Sequence, residues 1–219
     1  MSLPSVALGA EALLEVRGVR KSFGRRRVLR DVSFDVAPGR IVGITGENGS
    51  GKTTLLRIVV GLLAPDEGVV RGSARSGYCP QDLAVFETLT VRENFAYFAT
   101  AYGLGGAGSG KGPRPWTRTM DELCARFRFA DYRESLVSTL SGGTRQKLNF
   151  CLSILHDPGL LILDEPYAGL DWETYLRFWE FAEERRALGK SAVIVSHFVY
   201  DRSRFDAVLE LREGVLRCA

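Results

Sequence analysis

The sequence predicts an α/β fold with a mainly parallel β-sheet, an N-terminal antiparallel β subdomain and an inserted α-helical subdomain. Two apolar runs, at residues 160–163 and 192–196, have the composition of strands buried on both faces of a parallel sheet. Short alternating segments precede residue 45 and are typical of a small β layer. Between residues 83 and 155 the pattern becomes helical, and Leu148, Cys151, Leu152 and Leu155 there share one helix face.

The composition bounds both the class of protein and its partners. The 219 residues are 45% hydrophobic and 25% charged, as in ordinary globular proteins. A net charge of +3 gives no reason to expect nucleic acid as a partner. Cys79, Cys124, Cys151 and Cys218 form no C-x-x-C pair, so neither disulfides nor zinc are expected and a reducing cytoplasm fits.

The apolar stretches are too short for a membrane span. The longest, such as residues 58–64, fall well below the roughly 18 residues that a membrane span requires. Residues 1–10 lack the basic start of a signal peptide, so we expect a loose N-terminus there. A single domain is expected over residues 11–219, with the helical subdomain at about residues 83–155.

The expected elements alternate between strands and helices on either side of the helical region. Before and just after residue 50 we predict strands at 14–16, 28–36 and 40–45, a turn at 24–27, a helix at 53–62, a strand at 69–72 and an extended piece at 78–81. Beyond these we predict helices at 91–102, 119–129, 143–155 and 172–188, strands at 160–163 and 192–196, and a hairpin of residues 207–211 and 215–217.

A glycine-rich loop between a predicted strand and helix has the spelling of a phosphate-binding P-loop. Its glycines let the backbone turn with N–H groups facing inward, Lys52 reaches the outer phosphates, and the Thr53 hydroxyl can bind a magnesium ion. The N-terminus of the following helix adds attraction for an anion. The loop residues are Gly46, Glu47, Asn48, Gly49, Ser50, Gly51, Lys52, Thr53 and Thr54.

A second glycine-rich stretch, at residues 105–111, nearly repeats this spelling. Gly112 follows it where the motif requires Ser or Thr, and no strand precedes it. We expect a flexible surface insertion there rather than a second phosphate site.

Two carboxylates, Asp164 and Glu165, follow the apolar run at residues 160–163. The carboxyl end of a parallel strand is where open α/β sheets bind ligands, so we expect both at the edge of the sheet that carries the P-loop. There Asp164 would hold magnesium, and Glu165 would accept a proton from water attacking the terminal phosphate. This is the Walker B pattern.

Residues 140–147, reading Leu-Ser-Gly-Gly-Thr-Arg-Gln-Lys, resemble the signature motif of ATP-binding cassette (ABC) ATPases. The similarity extends over nearly the whole chain, from about residue 13 to 217, and further motif positions occur in the family's order. They are Phe23 for the aromatic residue that stacks on adenine, Gln81 for the Q-loop glutamine, Asp171 in the D-loop at 168–171, and His197 for the switch histidine. Taken singly, Phe23 would be read as core packing, Gln81 as a surface amide and His197 as a capping or buried histidine.

The resemblance implies ATP and Mg²⁺ as cofactors and a dimer as the active form. It implies that Gln81 senses magnesium and the attacking water, that His197 contacts the γ-phosphate, and that Asp171 links the two halves of the dimer. Ser141, Gly142 and Gly143 would close over the nucleotide held by the other copy, because a helix N-terminus attracts anions. Either a homodimer or a heterodimer is compatible with this scheme.

Three positions depart from the family pattern without removing a predicted catalytic group. Thr144 stands where Gln is commonest, Tyr167 where Thr or Ser is usual, and Phe198 where Asp or Glu is common. Thr144 leaves the Ser-Gly-Gly start intact, whereas Phe198 bears on how His197 is oriented.

In terms of function, the resemblance favours the ATPase subunit of an ABC transporter, most like bacterial exporters. The integral membrane permease would be a separate chain docked near residues 81–94, and the subunit would be cytoplasmic and peripheral on the inner face of the cell membrane. The alternative is a soluble ABC ATPase acting on the ribosome, nucleic acid or iron–sulfur assembly. A monomeric P-loop kinase or GTPase would leave the signature unexplained, and the guanine-specifying Asn-Lys-x-Asp is missing from the sequence.

Overall fold

The computed structural model describes residues 12–72, 75–105, 115–197 and 201–219. The chain divides into two compact units. The first, called the sheet unit below, comprises Met1–Tyr78, Gly159–Glu165 and Glu183–Ala219. The second, called the helical unit, comprises Cys79–Pro158 and Pro166–Ala182.

The helices and strands follow the predicted order. The strands are β1 Leu14–Phe23, β2 Arg26–Val36, β3 Ile41–Thr45, β4 Glu67–Arg71, β5 Gly77–Cys79, β6 Leu160–Asp164, β7 Ser191–Val195, β8 Ala207–Arg212 and β9 Val215–Cys218. The helices are α1 Lys52–Val59, α2 Val91–Ala101, α3 Pro115–Arg126, α4 Gly142–Ile154 and α5 Trp172–Ala187.

Within the described ranges the strands form one sheet in the order β4-β1-β2-β9-β8-β3-β7-β6-β5. The β1 strand pairs antiparallel with both β2 and β4. The pairs β3–β8, β3–β7 and β6–β7 are parallel, and β8–β9 is an antiparallel hairpin. A mainly parallel core with an N-terminal antiparallel part is therefore confirmed.

Burial on both faces explains why the central strands have continuous apolar sequences. Every residue of β6 and β7 is buried, as expected for strands inside a parallel sheet. On one face α1 contributes Leu55 and Leu56, both fully buried, to a core shared with Val42 and Ile44 of β3. This packing fixes the position of α1 at the end of β3.

The helical unit is held by capped helices and aromatic packing. Thr90 and Glu93 form a capping box at the start of α2, which satisfies backbone N–H groups that the first turn leaves unpaired. Phe127, Phe150 and Phe178 pack ring to ring, with centroids 5.3 and 5.1 Å apart. These contacts join α4 to the first part of α5 inside the unit.

Element boundaries differ from the sequence predictions where glycine or proline intervenes. The β1 strand is longer than predicted because Gly18, at φ +58°, forms an irregularity that interrupts the alternation while pairing continues to Phe23. The α1 helix ends at Val59, earlier than predicted, because Gly61 turns the chain at φ +78°. The α3 helix begins four residues earlier, at Pro115, a residue that fits the first turn of a helix.

Three sequence predictions concern residues outside the described ranges: the loose N-terminus at 1–10, most of the glycine-rich stretch at 105–111 with Gly112, and Phe198. Among the residues that the structure does describe, every helix is too short or too polar to cross a bilayer.

Candidate functional site

The loop from Gly46 to Gly51 joins β3 to α1 and is pressed against neighbouring strands. Gly46 has φ +149°, and a Cβ there would lie 2.4 Å from the carbonyl oxygen of Leu211. Gly51 has φ +107°, and a Cβ there would lie 2.9 Å from Cγ1 of Val28. Both positions therefore require glycine, for conformation and for space.

Lys52, the first residue of α1, folds back over the loop. Its ammonium group donates hydrogen bonds to the carbonyl oxygens of Gly46, at 2.7 Å, and Glu47, at 2.9 Å. The residue is 6% exposed, and burial lowers the pKa of its ammonium group, while the charges of Glu165 and Asp164 oppose that shift. Lys52 thus holds a positive charge inside the concavity of the loop.

Thr53 and Asp164 meet at the carboxyl end of β6. Asp164 is 1% exposed, and burial raises the pKa of its carboxyl group, opposed by a hydrogen bond from Thr53 and by the charge of Lys52. Among the described residues no group hydrogen-bonds to Asp164 Oδ2, which is buried. A hydroxyl oxygen beside an unsatisfied carboxylate oxygen is the donor set that Mg²⁺ prefers, so these residues fit a magnesium ion.

Glu165 and His197 form a second polar pair in the sheet unit. The imidazole Nε2 of His197 lies 3.4 Å from Glu165 Oε1. Burial raises the pKa of the Glu165 carboxyl group, while His197 opposes the shift through its charge and its backbone N–H. The Glu165 backbone is held at φ +51°, and its N–H donates to the carbonyl of Val195 at 3.0 Å. A buried carboxylate with a raised pKa is suited to accept a proton near neutral pH.

Phe23 lies at the end of β1 and is 51% exposed. Its ring faces Lys21, whose ammonium is 5.8 Å from the ring centroid, and Lys21 also pairs with Asp66 at 2.8 Å. Phe23 is therefore not a core residue, and a flat apolar surface is free to stack on a ligand.

In the helical unit, Ser141 caps the N-terminus of α4. Its hydroxyl oxygen accepts a hydrogen bond from the backbone N–H of Thr144 at 3.2 Å and lies 2.9 Å from the Thr144 hydroxyl. A Cβ at Gly143 would lie 3.0 Å from the carbonyl of Gly169, so the helix start packs closely on that loop. Gly142 has open space around the position of a Cβ. Thr144 thus supports the cap rather than disturbing it.

Asp171 has a structural role that the sequence analysis did not assign, although an Asp directly before a predicted helix is an N-cap signal. It accepts hydrogen bonds from the backbone N–H and the hydroxyl of Thr174, at 2.9 and 2.7 Å, and it pairs with Lys147 at 3.3 Å. These interactions, the bonds from Thr174 above all, hold the pKa of its carboxyl group well below the usual range. Asp171 therefore caps the start of α5 and ties it to α4.

Gln81 is exposed in the segment that follows β5, and the structure reveals what anchors that segment. Asn149, 2% exposed on α4, accepts a hydrogen bond from the N–H of Ala84 and donates to the carbonyl of Pro80, at 3.1 and 3.0 Å. Sequence reasoning missed Asn149. The available signal was a polar residue directly beside the apolar face of α4.

Most of the predicted site residues thus fall into two groups, while Phe23 lies at the end of β1 and Gln81 follows β5. Within the sheet unit the structure brings together Lys52, Thr53, Asp164, Glu165 and His197. Within the helical unit, Ser141, Gly142 and Gly143 lie at the start of α4, and Asp171 at the start of α5.

Comparisons with known proteins identify the family of this chain. The model of the ABC transporter family matches residues 29–168. The Nod factor export ATP-binding protein I of Paraburkholderia xenovorans is 35% identical over 89% of this chain, which spans 66% of that protein. An uncharacterized ABC transporter ATP-binding protein of Methanocaldococcus jannaschii is 31% identical over 92% of this chain and 74% of its own length.

Solved structures of other proteins have a similar fold. An ATP-binding subunit of an ABC transporter has a TM-score of 0.82 and 27% identity, covering 93% of this chain and 87% of that one. A bacterial ABC transporter cassette in a dimeric structure has the same TM-score at 22% identity, covering 93% and 96%, and this likeness concerns the fold alone. The chain belongs to the ABC transporter family, whose ATP-binding proteins are ATPases.

Proposed function

We propose that this protein is the ATP-hydrolysing subunit of an ABC transporter that drives export through a separate membrane permease. The observation that carries the proposal is the convergence of Lys52, Thr53, Asp164 and Glu165 around the glycine loop. The export direction is supported by the similarity to the Nod factor export protein, of which this chain spans about two thirds.

The first part of the proposal concerns nucleotide binding. The adenine stacks on Phe23, and the phosphates lie in the loop from Gly46 to Thr54, where Lys52 exchanges its two carbonyl partners for phosphate oxygens. Thr53 and Asp164 would hold Mg²⁺, and by family resemblance Gln81 would sense it. When bound, this ion supplies positive charge that neutralises the phosphate oxygens.

The second part concerns hydrolysis. Glu165 accepts the proton of the attacking water, a role that its buried carboxyl group with a raised pKa supports. His197 lies 3.4 Å from Glu165 and also contacts the γ-phosphate. Its imidazole therefore interacts with both the carboxylate and the terminal phosphate.

The third part concerns the dimer. Ser141, Gly142 and Gly143 present the N-terminus of α4, which favours negative charge, to the nucleotide held by another copy. Asp171 belongs to the same interface. ATP-dependent closure of a homodimer or heterodimer then drives the permease, and residues 11–219 act as one ATPase domain.

The permease docks on the helical unit near residues 81–94. Phe86 and Tyr97 are 41% and 52% exposed with ring centroids 4.5 Å apart, and Leu83 is 37% exposed. Exposed aromatic side chains in one cluster are typical of protein interaction sites. Docked in this way, the subunit lies on the inner face of the cell membrane.

Co-expression and measurement of ATPase activity against protein concentration test the proposal. We expect co-purification with a protein of several membrane spans, and a specific activity that rises with concentration as dimers form. Full function without a membrane partner, or steep salt-dependent binding to nucleic acid, would instead support a soluble ABC ATPase.

A further inference from the structure

The sheet unit contains a cleft where two parts of its sheet separate. Within the described residues, β2 and β9 pair through Asp31 and Val215 alone. Beyond that pair, β2 continues beside β1 and β9 continues beside β8. The two strands leave a cavity of about 350 Å³ between them, which is within the size range of small-molecule sites, roughly 300 to 1,000 Å³.

The floor of this cleft is apolar. Phe34, Val42 and Leu216 line it and are 8%, 4% and 6% exposed. Leu209 of β8 completes the surface, with Ala37 and Ala207 at its sides. An apolar cavity open to solvent favours an apolar ligand, because burying both surfaces removes them from water.

The rim of the cleft carries more positive than negative charge. Arg17 pairs with Asp35, and Arg40 pairs with Asp206 at 2.7 Å, so both aspartates are already neutralised. Arg217 also lines the cleft. Glu210 lies opposite it in the β8–β9 register, yet the structure gives these two described residues no ion pair. The rim therefore has one arginine in excess of its aspartates.

We propose that this cleft binds a small amphipathic anion, a monocarboxylic acid with an apolar body, whose apolar part lies on Phe34 and Leu209 and whose carboxylate meets Arg217. A guanidinium group matches a carboxylate in shape as well as in charge. The cleft lies outside the glycine loop and its partners, so the ligand binds whether or not the protein hydrolyses ATP.

Cys218 provides a natural reporter for occupancy. It lines the cleft, is exposed, and lies directly opposite Leu209 in the β8–β9 pair. Cys79, Cys124 and Cys151 are buried, and burial raises the pKa of the Cys124 thiol to about 12. A thiol reagent will therefore react first with Cys218, since the thiolate is the reactive form.

The test measures the rate at which Cys218 of the full chain reacts with a chromogenic disulfide reagent. Decanoate, kept below its micelle concentration, should slow the reaction at least fivefold at saturation. Decanol at equal concentration should protect less, and acetate should not protect. Absence of protection by decanoate, or equal protection by decanol and decanoate, would overturn the proposal.

Variants test which residues make the site, with dissociation constants measured by calorimetry so that altered thiol reactivity does not interfere. Arg217→Gln should weaken decanoate binding about tenfold. This is close to the lower end of the range for a hydrogen bond to a charged group, because the arginine is exposed. Arg212→Gln, on β8 but outside the cleft, is the matched control and should leave binding unchanged. Ala207→Phe should fill the cleft and abolish binding. Equal affinities for the two arginine variants would contradict the assignment of Arg217, whether or not Ala207→Phe folds.

Discussion

Replacing Glu165 with Gln removes one ionisable group and leaves its surroundings nearly intact. The two side chains have similar volume, and the N–H bond to Val195 and the φ of +51° belong to the backbone. We therefore expect Glu165→Gln to fold and to bind ATP. We expect it to lose the ability to accept a proton from water.

The expected magnitude follows from the role of the carboxylate. A positioned general base contributes roughly 10²- to 10⁴-fold in rate, which corresponds to about 3 to 5 kcal/mol of activation free energy. Glu165 is 8% exposed and its carboxyl pKa is raised by burial. Because so little bulk water reaches this carboxylate to replace it as the base, we expect a loss toward the upper part of that range.

The assay has two readouts. Single-turnover hydrolysis of radiolabelled ATP gives the rate of the chemical step. Because the variant should bind ATP without hydrolysing it, we expect an ATP-bound dimer to accumulate, and size-exclusion chromatography with bound nucleotide detects it. Glu213→Gln is the matched control, since Glu213 also has φ +51° but follows β8 in an exposed turn. Turnover of Glu165→Gln equal to that of the control would rule out Glu165 as the base.

Four further predictions follow from the same geometry. Phe23→Ala should weaken ATP binding by about 1 to 3 kcal/mol, the magnitude of base–aromatic stacking, and an unchanged dissociation constant would refute stacking. Mixing inactive Lys52→Ala and Ser141→Arg chains should restore activity through one intact composite site per heterodimer; no gain would count against that arrangement. Asp171→Ala should lower the free energy of unfolding by about 1 kcal/mol, because a helix cap is lost, and denaturant titration measures this. Asp164→Asn should flatten the pH dependence of unfolding. The native carboxyl pKa is raised, so the native state binds more protons and its stability falls as the pH rises from the unfolded value of about 3.9 through the native value; an unchanged slope would contradict this.

The sequence predicts the central sheet well because burial leaves a direct pattern. The β6 and β7 strands are apolar throughout since both faces are covered, and Gly46 and Gly51 are required by the close approach of Leu211 and Val28. The strands follow from one packing rule, and the glycines from the spelling of the P-loop, although the groups that crowd them lie elsewhere in the chain. Both the strands and the glycines are readable from residue types and spacing alone.

Other features were not predicted, either because their partners are distant in the chain or because the partner group has no side-chain signature. The pairing of β1 with β4, and the single register pair of β2 with β9, join segments far apart in sequence. The hydrogen bonds of Lys52 to its own loop arise from backbone carbonyls that have no sequence signature. Asp171 reads as an interface residue by family resemblance, and this reading passed over the local signal of a helix cap, an Asp three residues before Thr174.

The buried amide of Asn149 has a mechanical consequence. Its hydrogen bonds join the chain at Pro80 and Ala84, on either side of Gln81, to α4, the helix that Ser141 caps. A displacement of α4 would therefore move the segment that carries Gln81 as well, because Asn149 links the two. Under the roles proposed above, movement of the Gln81 segment and movement of the start of α4 would thus be coupled within the helical unit.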